Sequence, residues 1–207
     1  MNAAARNAKR LYDDAALLME AGRFPTACSI AVLSIEESGK VAILRRLALA
    51  KDDTQAKKLW REYRDHRSKN MMWIVAELAA KGARTIEDLR VIVDPDSDHR
   101  SVLDSIKQLG FYTDCCGDIA NWSEPNTVVE EDLARSILFA AKVLLRKKDV
   151  PVREAELWIE HLGPSIDGAD SFDELVVFYR AMHAEGLESF TPEEIARFLD
   201  KPQTLAN

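Results

Sequence analysis

Residues 24–50 read FPTACSIAVLSIEESGKVAILRRLALA and form a long, nearly continuous apolar segment. The proline at its second position suits the first turn of a helix, where the backbone N–H groups have no partner within the helix. Apolar residues flank the polar stretch SIEESGK, residues 34–40, on both sides. A helix that is apolar on most of its sides is typical of the centre of a bundle. The segment therefore predicts an all-α protein built around this helix.

The rest of the chain carries further helical patterns. Amphipathic spacing and capping residues predict helices at residues 3–21, 55–81, 85–93, 101–109, 128–148, 153–161, 171–185 and 192–199. Thr191 followed by Glu194 matches a capping box at the start of the last helix. Residues 110–127 are predicted to be a loop or hinge, anchored in the core by Phe111, Tyr112 and Trp122. No segment has a convincing strand pattern.

Charge is unevenly distributed along the 207 residues, whose net charge is −7. Residues 1–110 hold 19 Lys and Arg against 16 Asp and Glu, whereas residues 111–207 hold 9 against 19. Residues 40–70 alone carry a net charge of +6. Such a local positive field favours an anionic ligand even when the whole chain is acidic. We expect a helical bundle at residues 1–110 and an acidic helical part at residues 111–207, packed on the same bundle.

Composition narrows the class of protein further. No apolar run approaches the roughly 20 residues needed to cross a membrane, and the N-terminal residues lack the apolar core of a signal peptide. The three cysteines, Cys28, Cys115 and Cys116, form neither a disulfide framework nor a spaced set of zinc ligands. Cys28 is expected in the core. We predict a cytoplasmic protein with no metal, no cofactor and no membrane partner.

The polar stretch of the central helix places two carboxylates beside a lysine. Glu37 falls in line with the apolar positions on the 3.6-residue period, so its side chain is expected to be at least partly buried. A buried charge is costly unless it is paired. Glu36 and Lys40 have the spacing to pair with each other, and Gly39 would let another helix approach closely. The cluster is either a structural ion pair inside the bundle or part of a functional site.

The segment REYRDHRSKN, residues 61–70, offers partners for these carboxylates. Arg61 and His66 are separated by four residues, and Lys69 and Asn70 follow His66 one turn later. Histidine transfers protons near neutral pH, and arginine holds a phosphodiester with its planar fork. These are the groups that RNA cleavage without a metal requires. The same residues are equally compatible with a solvated helix face.

Several strings resemble the AbiV-type abortive-infection family within the HEPN helical-bundle superfamily. They are GRFPTACSIAVLSIEESGK (22–40), WREYRDHRSKN (60–70), LGFYTDC (109–115), NWSEP (121–125) and LWIEHLGP (157–164). The IEExGK element and the H-x-x-K element are fairly specific when they occur in this order and at this separation. The resemblance implies a HEPN-like antiparallel helical bundle with additional C-terminal helices, of a kind that commonly forms homodimers.

The resemblance also implies phage defence by abortive infection, with arrest of translation. Many HEPN proteins are metal-independent endoribonucleases with an R-x4–6-H motif. Arg61 and His66 match it in spacing, although Glu62 follows the arginine where the family has Asn, Asp or His. His66 would then be the general acid or base and Arg61 the phosphate clamp. The expected supporting or substrate-binding residues are Glu36, Glu37, Lys40, Arg64, Lys69 and Asn70, and Arg64 could replace Arg61 at the phosphate.

Two functions fit these observations. In the first, the chain is a ribonuclease acting on RNA or a component of translation, with two motifs facing each other in a homodimer. In the second, the same fold is a non-catalytic interaction protein that blocks translation by binding a ribosomal, host or phage protein. The surplus of acidic residues in 111–207 favours the second function, because it repels nucleic acid.

Overall fold

The computed structural model describes residues 1–83, 87–92, 94, 97–116, 121–164, 171–188, 191, 193, 194 and 197. These residues are mainly helical, which confirms the all-α class. The helices are α1 Asn2–Glu20, α2 Phe24–Ala48, α3 Asp53–Arg64, α4 His66–Lys69, α5 Val75–Ala80, α6 His99–Phe111, α7 Pro125–Val128, α8 Glu131–Leu144, α9 Val152–Leu162 and α10 Ser171–Ala184. Two short 3₁₀ helices span Asn70–Met72 and Glu87–Ile92. None of the helices in this part of the chain is both long and apolar enough to cross a membrane.

Helix α2 lies at the centre of the bundle, as its apolar sequence predicts. It packs against α1, α3, α4, α6 and α8. The surrounding core consists mostly of alanine and aliphatic side chains, which lets the helices approach closely: Ala15, Cys28, Ala31, Val32, Ile35, Ala76, Leu103, Val129, Ala134, Ile137, Ala140 and Ala141. The prediction that Cys28 is a core residue is confirmed, and burial raises the pKa of its thiol to about 12.

The C-terminal helices extend this arrangement. Helix α8 belongs to the same core as α1 and α2. Helices α9 and α10 form a second apolar cluster, which includes Leu49 just after α2. Glu154 of α9 is buried and forms ion pairs with Arg45 and Arg146. A carboxylate in this position ties the C-terminal end of α2 to α9. The division of the chain at residue 110 stays a prediction.

The continuous helix predicted at residues 55–81 is wrong, because the chain breaks at Asp65. This residue is extended, with φ −79° and ψ 127°, and its side chain accepts hydrogen bonds from the N–H and hydroxyl of Ser68. Its carboxylate therefore caps a new helix, α4, instead of continuing α3. Burial opposes ionisation of Asp65, but the bonds from Ser68 and the charge of Arg67 lower its pKa. At the other end of α3 the cap is Asp52, which accepts from Thr54 and Gln55.

The segment after α6 also differs from its prediction. Strands β1 Asp114–Cys116 and β2 Asn121–Ser123 pair antiparallel within residues predicted to be a loop. Phe111, Tyr112 and Trp122 are not core anchors: their exposed fractions are 37%, 60% and 63%. The core around α2 is instead formed by side chains of α1, α5, α6 and α8.

Two further helices differ from their predictions. The helix predicted at 128–148 is shorter: α8 spans Glu131–Leu144, and Val128 is the last residue of α7. Of the helix predicted at 85–93, the described residues form a 3₁₀ helix, and residues 85, 86 and 93 lie outside the described residues. Most of the helix predicted at 192–199 also lies outside them. Its capping box is nevertheless formed, because Thr191 and Glu194 exchange hydrogen bonds of 2.9 and 3.2 Å.

Candidate functional site

Glu36, and not Glu37, is the carboxylate at the centre of the polar cluster. The residue is 3% exposed and lies on the side of α2 that faces α4 and α6. Its Oε2 lies 2.6 Å from His66 Nδ1, and its Oε1 lies 2.8 Å from Lys107 Nζ. Lys69 Nζ is 3.6 Å from Oε2. A buried carboxylate is tolerable only with such partners, so this cluster is a single electrostatic unit.

Gly39 sets the separation between α2 and α4. A Cβ atom built on this glycine would lie 2.0 Å from the carbonyl oxygen of Lys69 and 2.8 Å from its carbonyl carbon. Only a residue without a side chain permits that approach, which confirms the close helix contact predicted at this position. The contact brings α4 against the turn of α2 that carries Glu36.

His66 occupies the first position of α4, directly after the break at Asp65. Its side chain is 56% exposed, although Nδ1 contacts the buried Glu36. An ionised carboxylate only accepts hydrogen bonds, so the contact at 2.6 Å assigns a hydrogen to Nδ1. The imidazole is therefore held at Nδ1, while more than half of the side chain is exposed. This is the arrangement that a general base needs.

Lys107 and Asp104 of α6 complete the cluster, and neither was predicted from the sequence. Lys107 Nζ lies 2.7 Å from Asp104 Oδ1, 2.8 Å from Glu36 Oε1 and 3.5 Å from His66 Nδ1. Burial alone would lower the pKa of this lysine, but the ion pairs with Asp104 and Glu36 outweigh burial and raise it. One signal was available: Lys107 follows the fully buried Leu103 by four residues and so shares its apolar face.

The remaining predicted residues of α2 form a separate pair. Lys40 bonds to Glu37 and not to Glu36, and both side chains are about one fifth exposed. The ammonium also lies 5.4 Å from the centre of the Tyr63 ring. The expected pairing of Glu36 with Lys40 is wrong, because His66 and Lys107 occupy both oxygens of Glu36. Glu37 and Lys40 border the cluster instead of forming its centre.

Two residues after His66 are buried, as their position against α2 requires. Lys69 is 6% exposed and contributes to the cluster through Glu36. Asn70 is fully buried, and neither polar atom of its side chain has a hydrogen-bond partner within the described part of the chain. Lys69 is therefore brought into the cluster, whereas no side-chain hydrogen bond joins Asn70 to the described residues of the cluster.

Arg61 and Arg64 lie in the last turn of α3 and are exposed. They belong to a group of exposed cations on α3 and α4, consisting of Lys57, Lys58, Arg61, Arg64 and Arg67. No ion pair joins any of the five to another residue that the structure describes. Glu62, by contrast, is paired with Arg46 at 2.6 Å. Five of the ten basic residues at positions 40–70 are thus exposed and lack ion-pair partners within the described part of the chain.

Glu36, His66 and Asp104 each place a possible ligand atom within 4.8 Å of the others, a spacing that could hold a cation. The ammonium of Lys107 already lies between the two carboxylates. A divalent ion would have to displace this buried positive charge. The donor set therefore fits a lysine-centred cluster better than a metal centre.

The described part of the chain is a helical bundle of the HEPN-like kind, with the polar cluster around Glu36 inside it. The model of the AbiV family, HEPN_AbiV, matches residues 1–146, which is more than two thirds of the chain. The chain therefore belongs to the AbiV family, as the sequence resemblance predicted, and this membership suggests a role in abortive infection. The match ends before residues 157–164, which also contributed to the resemblance. No curated protein and no solved structure matches the chain.

Proposed function

We propose that this protein is a metal-independent endoribonuclease that acts in phage defence by abortive infection and arrests translation by cleaving RNA. The observation that carries the proposal is the pair formed by Glu36 and His66. A buried carboxylate fixes one nitrogen of an imidazole whose side chain is 56% exposed. A histidine in a purely structural ion pair has no need of this exposure.

The charge around His66 supports an anionic substrate. The five exposed cations of α3 and α4 lack ion-pair partners among the described residues, so their charge is available to phosphate groups. Arg61 precedes His66 at the spacing of the R-x4-H motif, and Arg64 is the last residue of α3, two residues before His66. An arginine fork binds two phosphate oxygens at once and stabilises the charge of the pentavalent phosphorane. We assign that role to Arg61, with Arg64 as the alternative.

The reaction follows from these groups. Nε2 of His66 takes the proton from the 2′-hydroxyl, and the 2′-oxygen attacks the adjacent phosphorus. The P–O5′ bond breaks, which leaves a 2′,3′-cyclic phosphate on one fragment and a 5′-hydroxyl on the other. A second proton donor must protonate the leaving 5′-oxygen. In a homodimer, the His66 of a second copy supplies this group, so each dimer forms one composite site.

The test is cleavage of end-labelled tRNA, rRNA and mRNA by purified protein in the presence of EDTA. We expect fragments ending in 2′,3′-cyclic phosphate with the wild type and none with His66→Ala. Glu36→Gln should reduce cleavage strongly while leaving RNA binding intact, because Glu36 is buried and acts through the imidazole. His161→Ala is the matched control, since this histidine lies on α9 and has no contact with Glu36. RNA that stays intact at every wild-type concentration would refute the proposal.

The acidic C-terminal part supports a second candidate function, a non-catalytic interaction protein. Residues 111–207 hold 19 acidic against 9 basic residues, which disfavours contact with RNA over nearly half of the chain. A ribosomal, host or phage protein would then be the partner whose binding stops translation. Phage protection that survives His66→Ala would favour this function over cleavage.

A further inference from the structure

We infer that Lys107 is a positioning residue of this site: its buried ammonium fixes Oε1 of Glu36 so that Oε2 holds the Nδ1–H of His66. The inference rests on the proposed function for its catalytic consequence, but its structural part does not. Lys107 lies on α6, outside the three helices, α2, α3 and α4, that carry the sequence motifs. It is 6% exposed and so is not placed to touch a large substrate.

The first step of the argument is that Lys107 is held rigidly. Its side chain lies between Asp104 Oδ1 at 2.7 Å and Glu36 Oε1 at 2.8 Å. Its backbone carbonyl accepts a hydrogen bond of 3.0 Å from Ser29 of α2. Helix α6 also packs tightly at Gly110, where a Cβ atom would lie 2.2 Å from Ser29 Oγ. Both ends of the lysine are thus fixed relative to α2.

The second step concerns Glu36. Its two oxygens have different partners, with Lys107 at Oε1 and His66 at Oε2. Without Lys107, Oε1 would be buried and unpaired, and Lys69 would be the remaining nearby cation, 3.6 Å from Oε2. A buried carboxylate turns towards the cation that is left, because an unpaired charge in the interior is costly. That rotation would remove the acceptor from Nδ1 of His66.

The third step concerns the proton on His66. While Glu36 accepts from Nδ1, the neutral ring is bare at Nε2, the nitrogen that would take the 2′-hydroxyl proton. Release from Glu36 lets the proton move to Nε2, the nitrogen that usually carries it in a free histidine, and the ring becomes free to rotate. A small misplacement of a catalytic group can reduce the rate about 100-fold. Lys107 therefore affects the chemical step without contacting RNA.

The experiment compares Lys107→Met with Lys107→Arg and with Glu36→Gln, alone and combined. We expect Lys107→Met to lower kcat about 100-fold with KM for RNA unchanged, and Lys107→Arg to recover part of the loss. In the Glu36→Gln background, Lys107→Met should have no further effect on kcat. Both changes disrupt the same series of contacts, from Lys107 through Glu36 to His66. Lys9→Met, which removes an exposed lysine on α1, is the control. Effects that multiply, or a raised KM, would overturn the inference.

A second readout works even if the protein cleaves no RNA. Nitrogen-15 NMR of the imidazole distinguishes the two neutral tautomers. In the wild type, Nδ1 of His66 should carry the proton, and in Lys107→Met the Nε2–H form should dominate. The double variant Glu36→Gln with Lys107→Met buries no charge at these two positions and provides a folded reference if the single variant unfolds. An unchanged tautomer in Lys107→Met would overturn the inference, whereas absence of RNA cleavage would overturn only the proposed function.

Discussion

Gly39→Ala tests how closely α4 approaches α2. In a helix that touched nothing at this position, alanine would stabilise the protein by about 0.5–1 kcal/mol relative to glycine. Here the new Cβ would lie 2.0 Å from the carbonyl oxygen of Lys69, which is backbone and cannot rotate away. To reach the 3.4 Å of an ordinary contact, α4 would have to move about 1.4 Å away from α2.

Moving α4 away from α2 should change both the free energy of unfolding and the distance between His66 and Glu36. Forcing extra atoms into a packed interior typically costs ~1–3 kcal/mol, so we expect a net loss of about 1–2 kcal/mol in the free energy of unfolding. If α4 moves as a unit, the 2.6 Å distance between His66 Nδ1 and Glu36 Oε2 grows to about 4 Å. At that distance the hydrogen bond is lost, and RNA cleavage should fall with it.

The assay is urea unfolding followed by far-ultraviolet circular dichroism. Ser38→Ala, at the preceding position of α2, is the control, because it adds no atom and retains the contact at Gly39. It should change the free energy of unfolding by less than about 0.5 kcal/mol. A Gly39→Ala protein that is more stable than the wild type by about 1 kcal/mol would refute the close approach of the two helices.

Three further predictions concern groups outside this contact. His99 is neutral and buried, and burial lowers its pKa below 6.5. The free energy of unfolding should therefore fall as the pH drops from about 6.5 towards the folded-state pKa. His99→Gln should remove this part of the pH dependence in denaturation measured from about pH 7.5 to 5. The Cys28 thiol, with a pKa of about 12, should resist iodoacetamide in the native protein at pH 8 and react fully in urea, as peptide mapping by mass spectrometry can show. Glu154→Ala leaves Arg45 and Arg146 without their buried carboxylate and should lower the free energy of unfolding by about 3 kcal/mol. A loss below about 1 kcal/mol in urea unfolding would show that solvent screens these ion pairs.

The neutral state of His99 is supported by its hydrogen bonds. Its Nε2–H donates to the carbonyl of Met71 at 3.1 Å, and its Nδ1 accepts from the hydroxyl of Ser97 at 2.7 Å. Both nitrogens of the neutral ring have hydrogen-bond partners. If Nδ1 were protonated, it could no longer accept the hydrogen bond from Ser97. Above the unfolded-state pKa, His99 should therefore contribute no pH dependence to the free energy of unfolding.

The sequence predicted the structure best where a feature depends only on the residues of one helix face. The apolar run of α2 predicted its central place, and the glycine at position 39 predicted a close helix contact, because both depend on the composition of one face. It was less informative where two patterns compete. Asp65 lies within a good helical pattern, but its capping bonds to Ser68 ended α3 and began α4.

The candidate site shows the same limit. His66 and its R-x4-H spacing could be found from the sequence, as could a carboxylate on α2. Whether Glu36 or Glu37 faces His66 depends on a rotation of about 100° around the helix axis, which periodicity over a helix apolar on most sides does not settle. Lys107 lies 41 residues after His66, and only the packing of α6 on α2 brings the two side chains together.

The amino-acid sequence alone determined an all-helical AbiV-family protein, a central helix and a histidine within a basic segment, because these follow from composition, period and motif. The tertiary structure decided which glutamate holds the histidine, where the helix breaks and which lysine completes the cluster. The physical reason is that a buried charge must be paired, and its partner can lie far away in the sequence. Which side chain reaches a buried group depends on the helix that packs beside it, and this packing depends on all helices of the bundle.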